Sequence, residues 1–128
     1  SLYKRWHMIG PELGMSVASV GIRREPTGAA NCFNADVVAT AKRHLNAGEL
    51  LDGEGGYTVF GKLAPSNVSL ANGYLPLGLA HDLKLTRDVA KDQPLTWKDA
   101  EIDTTLNAYK LRREMESLFG TPSSNSAS

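Results

Sequence analysis

The middle of this chain is written twice. The stretch from Lys42 to Leu51 returns as Thr86 to Leu95, 44 residues later. Arg43 pairs with Arg87, Leu45 with Val89, Glu49 with Gln93 and Leu51 with Leu95. Each copy reads as an apolar strand, a polar turn and a short apolar exit. Neither half has enough apolar surface to form a core alone, so the two must fold against each other. The repeat constrains architecture and says little about chemistry.

The 128 residues suffice for one domain with one core. Lys plus Arg and Asp plus Glu each number 14, giving a formal net charge of zero. That balance argues against an electrostatic binder of nucleic acid or membrane surfaces, which needs a basic excess. The single cysteine, Cys32, excludes an intrachain disulfide and fits a reducing cytosol. No apolar run approaches the roughly 18 residues of a spanning helix, and no signal peptide is visible. A cytoplasmic protein is therefore expected. Because the chain opens with Ser rather than Met, it reads as a piece of a longer protein or a processed product. The small polar residues 121–128 read as a disordered tail.

Along the chain, Pro11 to Arg24 reads as a helix, with Pro11 at its first position and a face of small residues. Glu25-Pro26-Thr27-Gly28 stops it. Asp36 to Lys42 reads as a strand rich in β-branched residues. In the turn that follows, Gly48 is free to take positive φ, and Asp92 occupies the same place in the second copy. Tyr57 to Phe60 and Leu83 to Arg87 alternate as strands. Residues 62–74 read as mixed loop, 75–79 as a short buried segment and 95–97 as an exit strand. Asp103-Thr104 is expected to cap a last helix over 104–119, stopped by Gly120. The fold class expected is α+β, mainly β, with one helix before a compact set of short strands and one after.

Few motifs carry chemistry. Gly53-Glu54-Gly55-Gly56 superficially matches a dinucleotide loop, but Thr58 stands where the third glycine belongs. A strand pattern follows it, not a helix. It is read as a structural glycine turn, whose acidic pair Asp52 and Glu54 is available to a neighbouring site. His7, His44 and His81 lie in no metal-ligand spacing, so no metal site is expected in this chain. His44 and His81 read as surface or packing residues. His7 stands beside Trp6 just before the first helix, and Glu12 sits in that helix's first turn, where the helix dipole favours an acid. Arg23-Arg24 and Arg112-Arg113 read as solvated helix ends neutralised by Glu25, Glu114 and Glu116. Asn67-Val68-Ser69 fits a glycosylation sequon and is discounted without signs of secretion. No Ser-His-Asp or Cys-His set is supported by spacing.

Two resemblances extend this reading. Val37 to Leu51 and Leu83 to Asp99, with Leu75 to Ala80 between them, resemble the SAF family of antifreeze-like β-clip modules. The turn Asn46-Ala47-Gly48-Glu49-Leu50-Leu51 and the run Gln93 to Asp99 carry that pattern. A longer set is similar to the C-terminal third of a bacterial NAD(P)-dependent oxidoreductase family. It comprises Tyr3 to Gly10, Glu12 to Gly14, Ser16 to Ala18, Glu25 to Gly28, Leu51 to Lys62 and Leu111 to Glu116. That family resembles homoserine dehydrogenase in its nucleotide-binding domain and includes reductoisomerase-like enzymes of isoprenoid precursor synthesis, acting on 1-deoxy-D-xylulose 5-phosphate.

The resemblance implies that residues 1–30 are a segment returning from a catalytic domain and that residues 31–120 form the SAF module. It places His7, Glu12 and Ser16 near the nicotinamide or substrate of the parent enzyme. NAD(P), with a divalent metal, would belong to that parent and not to this chain. The expected partners are the Rossmann-type catalytic domain and further copies in a homo-oligomer; neither nucleic acid nor membrane is expected. The chain alone should be inactive, because hydride transfer needs a closed site holding cofactor against substrate. Its expected work is domain packing, oligomerisation and partial cover of the active site by the Asp52–Gly56 loop. The alternative is a stand-alone module binding a small sugar acid or sugar phosphate through Arg43, Asp52, Glu54, Tyr57 and Arg87. An assembly role in an exported structure ranks last.

Overall fold

The computed structural model describes residues 5–119 and divides into two units, Ser1–Asn31 and Cys32–Ser128. In the first, helix α1 (Ile9–Ala18) continues into a π-helical turn, Ser19–Arg23. The helix starts two residues before Pro11. Proline is tolerated there because the first-turn N–H groups have no intrahelical acceptor. Arg24 closes the element in the left-handed region at φ 59°, just ahead of Glu25-Pro26. Ser19 is the only buried residue of the whole element; its hydroxyl donates to the Glu25 carbonyl at 3.1 Å.

The second unit is built on β1 (Ala35–Ala41), β2 (Leu50–Asp52), β3 (Val59–Pro65) and β4 (His81–Lys84). Antiparallel β1 pairs with β3, Ala35 opposite Pro65 through Ala41 opposite Val59, and β2 pairs antiparallel with β4. Helix α2 (Ser66–Asn72) follows β3, a 3-10 turn spans Leu77–Leu79, and α3 (Asn107–Phe119) is the last described element. The protein is thus a small α+β molecule with two short antiparallel sheets; the expectation that it is mainly β is corrected, because helices take up more of the described residues than strands do.

The two copies meet at their centre. Leu45 N–H donates to the Val89 carbonyl, and Val89 N–H donates to the Leu45 carbonyl, both at 2.9 Å. Around this point the ladder repeats with the copies exchanged. Ala41 N–H to Gln93 carbonyl (3.0 Å) is answered by Leu85 N–H to Glu49 carbonyl (2.9 Å). Asp92 N–H to Ala41 carbonyl (2.9 Å) is answered by Gly48 N–H to Leu85 carbonyl (2.8 Å). The duplication is therefore a pseudo-twofold axis. The core is shared by the same rule. Ala39 with Leu83, Ala41 with Leu85, Leu45 with Val89, Leu51 with Leu95, and Val59 with Ala100 supply ten of its twelve residues; Leu75 and Ala80 complete it.

Gly48 and Asp92 both adopt positive φ, 85° and 65°. A β-carbon at Gly48 has room, its nearest neighbour being Lys84 Cε at 3.9 Å. The cost of Gly48→Ala is then conformational alone, about 1–2 kcal/mol, read as a lower urea midpoint at unchanged slope.

Several local readings change. Residues 62–74 are not loop: β3 runs to Pro65 and α2 follows. Pro65 ends the strand, Ser66 N–H donates to the Asn34 carbonyl at 3.0 Å, and Gly73 at φ 62° closes the helix. Propensity is poor in Ser-Asn-Val-Ser-Leu-Ala-Asn, so packing decides. The architecture therefore has this internal helix besides the two flanking ones. Tyr57 and Thr58 precede the strand, β4 spans 81–84 rather than 83–87, and within 95–97 Thr96 alone forms a bridge, to Tyr74, so there is no exit strand. Asp103 does not cap α3 directly. Its carboxylate accepts from Thr105 N–H (2.8 Å) and hydroxyl (2.6 Å), forming a turn before the helix begins at Asn107. The Gly120 stop and the tail lie outside the described residues.

Arg112 is not a solvated helix end. Its Nη1 and Nη2 donate to Asp36 Oδ1 and Oδ2 at 3.0 and 2.6 Å, and its Nε donates to Glu116 at 2.7 Å. Its guanidinium also stacks 5.0 Å from the Phe33 ring centroid. Ser69 of α2 donates to the same Asp36 carboxylate at 2.6 Å. One buried carboxylate on β1 thus ties down both α2 and α3. Arg113 keeps a solvent-facing place, paired with Glu116 at 2.5 Å and lying 5.5 Å from the Trp97 ring centroid.

Candidate functional site at the glycine-rich loop

In the first unit the helix start brings two of the three parent-site candidates together. His7 Nδ1 lies 3.6 Å from Glu12 Oε2, and Met8 N–H donates to Glu12 Oε1 at 3.1 Å. Glu12 thus closes back on the helix start, much as a capping carboxylate does. Ser16, one turn further on, is exposed on the same side of the helix.

In the second unit the ligand candidates separate by copy. Arg43 pairs with Glu49, whose other oxygen accepts Asn46 N–H at 3.1 Å. Asp52 accepts from the backbone N–H groups of Tyr57 (2.5 Å) and Thr58 (3.0 Å) and from the Thr58 hydroxyl. Lys42 Nζ donates to the Gly56 carbonyl. Glu54 stays exposed, and Tyr57 projects from the loop at 84% exposure. Arg87 belongs to the other copy, where it pairs with buried Asp99. The structure therefore gathers Arg43, Asp52 and Tyr57 around one loop and leaves Arg87 at the equivalent place of the second copy.

The two junctions match with their chemistry exchanged. Asp52 N–H donates to the Thr58 hydroxyl at 3.0 Å, and Thr96 N–H donates to the Asp99 carboxylate at 2.7 Å. Lys42 N–H meets the Thr58 carbonyl and Thr86 N–H the Asp99 carbonyl, both at 2.9 Å. Acid and hydroxyl have traded sides, so each turn is closed from within. The loop of the first copy is longer by three residues, and these accommodate its glycines.

Gly53 and Gly55 take φ 72° and 79°. A β-carbon on Gly53 would fall 2.7 Å from Cδ2 of His81, the residue opposite Asp52 in the β2–β4 pair. Glycine is required there because the imidazole packs on the loop backbone. His81 was read as a surface or packing residue. Its ring does pack here, and its Nδ1 also lies 2.8 Å from Asp82 Oδ2. Only contact across the sheet reveals this, although the His-Asp dipeptide is visible in the sequence.

Among the described residues five carboxylates are held below their ordinary range, Glu49 by the Arg43 hydrogen bond and Asp103 by the Thr105 hydroxyl among them. The Thr58 hydroxyl and then the Tyr57 N–H lower Asp52 to about 2. Burial pushes Asp36 up, but the Arg112 and Ser69 hydrogen bonds outweigh it and the net shift is downward. Burial likewise opposes Asp99, which Arg87 and the Thr96 N–H hold down. A carboxylate lowered in the folded state contributes stability that is complete above its unfolded pKa, about 4. That contribution is lost as pH falls through the folded value. Thermal melts should therefore hold steady from neutral pH to about 4 and drop steeply toward pH 2. Asp52→Asn should flatten the lower part of that fall.

The loop does not suit a dinucleotide phosphate. Its Tyr57 and Thr58 N–H groups are spent on Asp52, and strand β3 follows where a helix N-terminus is needed. Among the described residues, no three His, Cys, Asp or Glu side chains converge as a metal site, and no helix is long and apolar enough to cross a membrane. No family model matches the chain, and no curated protein matches it.

Proposed function

We propose that this chain is a SAF-type β-clip module of a cytosolic NAD(P)-dependent oxidoreductase. In this reading it packs against the catalytic domain, supports a homo-oligomer and lends one edge to the active site. The observation that carries the reading is the helical element of residues 9–23. It buries Ser19 alone and exposes Ile9, Leu13, Val17, Val20 and Ile22, each above 60%. An isolated functional unit does not keep such a row in water; a docking element does. The small residues Gly10, Gly14, Ser16 and Ala18 suit close approach to another backbone.

The duplicated clip, whose halves pair through Leu45 and Val89, supports the SAF part of the reading. Internal neutralisation supports packing over ligand capture: Arg43 is matched by Glu49 and Arg87 by Asp99. The nicotinamide cofactor, and any divalent metal, belong to the catalytic partner, so no chemical step is assigned to them here. His7, Glu12 and Ser16 are this chain's contribution near the substrate.

The test compares the product of the complete gene with residues 1–128 alone. Both are assayed for loss of reduced-nicotinamide absorbance with 1-deoxy-D-xylulose 5-phosphate and other sugar phosphates. Turnover by the complete product and none by the isolated chain is expected. A complete product that binds no nicotinamide cofactor overturns the reading.

A further inference from the structure

We propose that His81 and Asp82 form an oriented proton-accepting pair at the edge of the glycine-rich loop. The pair would take the proton of a substrate hydroxyl held against that loop. The inference deepens the reading of the module as an active-site border and rests on it for the substrate.

Two contacts orient the imidazole. Asp82 Oδ2 lies 2.8 Å from Nδ1. The Gly53 backbone lies against the other side of the ring, so close that a β-carbon would meet Cδ2 at 2.7 Å and Cγ at 3.3 Å. Asp82 sits at φ 55°, where the β2–β4 pairing shifts register, and this bulge sets its carboxylate beside the ring.

The bond to Asp82 sets the chemistry. A carboxylate accepts, so the neutral imidazole carries its proton on Nδ1. The Nε2 lone pair is then free, and among the described residues no group engages it. The side chains of His81 and Asp82 are 67% and 83% exposed, so a ligand can reach that nitrogen. Asp52, directly across the sheet, does not compete for the ring, because its carboxylate is occupied by Tyr57 and Thr58. The step is a proton transfer alone. Nε2 bonds the hydroxyl proton, the O–H electron pair stays on oxygen, and the imidazolium formed beside Asp82 passes its proton to water. His81 is the group that meets the substrate; Asp82 and Gly53 position it.

The first measurement is the tautomer of His81 in the nitrogen-15-labelled chain, read by long-range proton–nitrogen correlation on the neutral ring. A proton on Nδ1 is expected, reverting toward Nε2 in Asp82→Ala and in Gly53→Ala. A proton on Nε2 in the unaltered chain overturns the pair. The second is kinetic, in the complete gene product. His81→Gln is expected to lower kcat about 100-fold or more with KM within about twofold. A melting temperature matching the parent would show that it folds. Unchanged kcat overturns the proton-transfer role. If the complete product turns over no hydroxylated substrate, the module reading fails, and the tautomer still decides the pair.

Discussion

Asp36→Asn is expected to destabilise the second unit by about 3–5 kcal/mol, the usual cost of removing one partner from a buried ion pair. The reason is what remains behind. Arg112 and Asp36 have side chains only 12% and 5% exposed. Without the carboxylate, the guanidinium keeps Glu116 and the Phe33 ring but loses a two-pronged acceptor, and water cannot replace it. Ser69 then shares with Arg112 the one amide oxygen that remains. For a unit of this size, a melting temperature lower by roughly 12 °C or more should follow. Urea unfolding monitored at the two sheets and at α3 would locate the loss, with α3 expected to detach first. The double change Asp36→Leu with Arg112→Met should recover most of the stability, because it removes both charges together. If Asp36→Asn melts with the parent protein, the pair does not dock the helix.

Leu45→Ala is the second large effect, about 2–5 kcal/mol in urea unfolding. Leu45 is fully buried where the two copies bond to each other, and its loss opens a cavity that both halves line. Val89→Ala should cost less, since it removes fewer atoms, and the two should not add, because they share one space. Leu50→Ala is the control: Leu50 adjoins a buried leucine in sequence but is 59% exposed, and a change within about 0.5 kcal/mol is expected. Equal effects at Leu45 and Leu50 would mean that the shared core is not what holds the copies together.

The candidate site was legible in part. The three glycines between Asp52 and Tyr57 announced a turning loop, but Asp52 was read as available to a neighbouring site, and its carboxylate instead closes the loop from within. Arg43 and Arg87 were visible as repeat partners, but their counter-ions were not. Glu49 lies in the same turn as Arg43, whereas Arg87 has Gln93 at that place and pairs with Asp99, which stands where the first copy has Thr58. His81 was set aside because nothing in its neighbourhood of sequence involves Gly53; only the pairing of β2 with β4 brings the ring onto the loop. Arg112 shows the limit most clearly. Its spacing to Glu116 is a helix-surface pattern, and that pattern reads the same whether the face meets water or the buried Asp36.

By itself the sequence determined the duplication, the α+β class, the left-handed turns at Gly48 and Asp92, and the apolar residues shared by the core. These follow from local rules: side-chain period, backbone sterics and the need of two half-cores for each other. Tertiary structure alone decided that residues 66–72 are helical, that Asp36 gathers Ser69 and Arg112, and that His81 rests on Gly53. Each of those depends on groups far apart in the chain, joined by burial that makes a charge or a donor seek its partner.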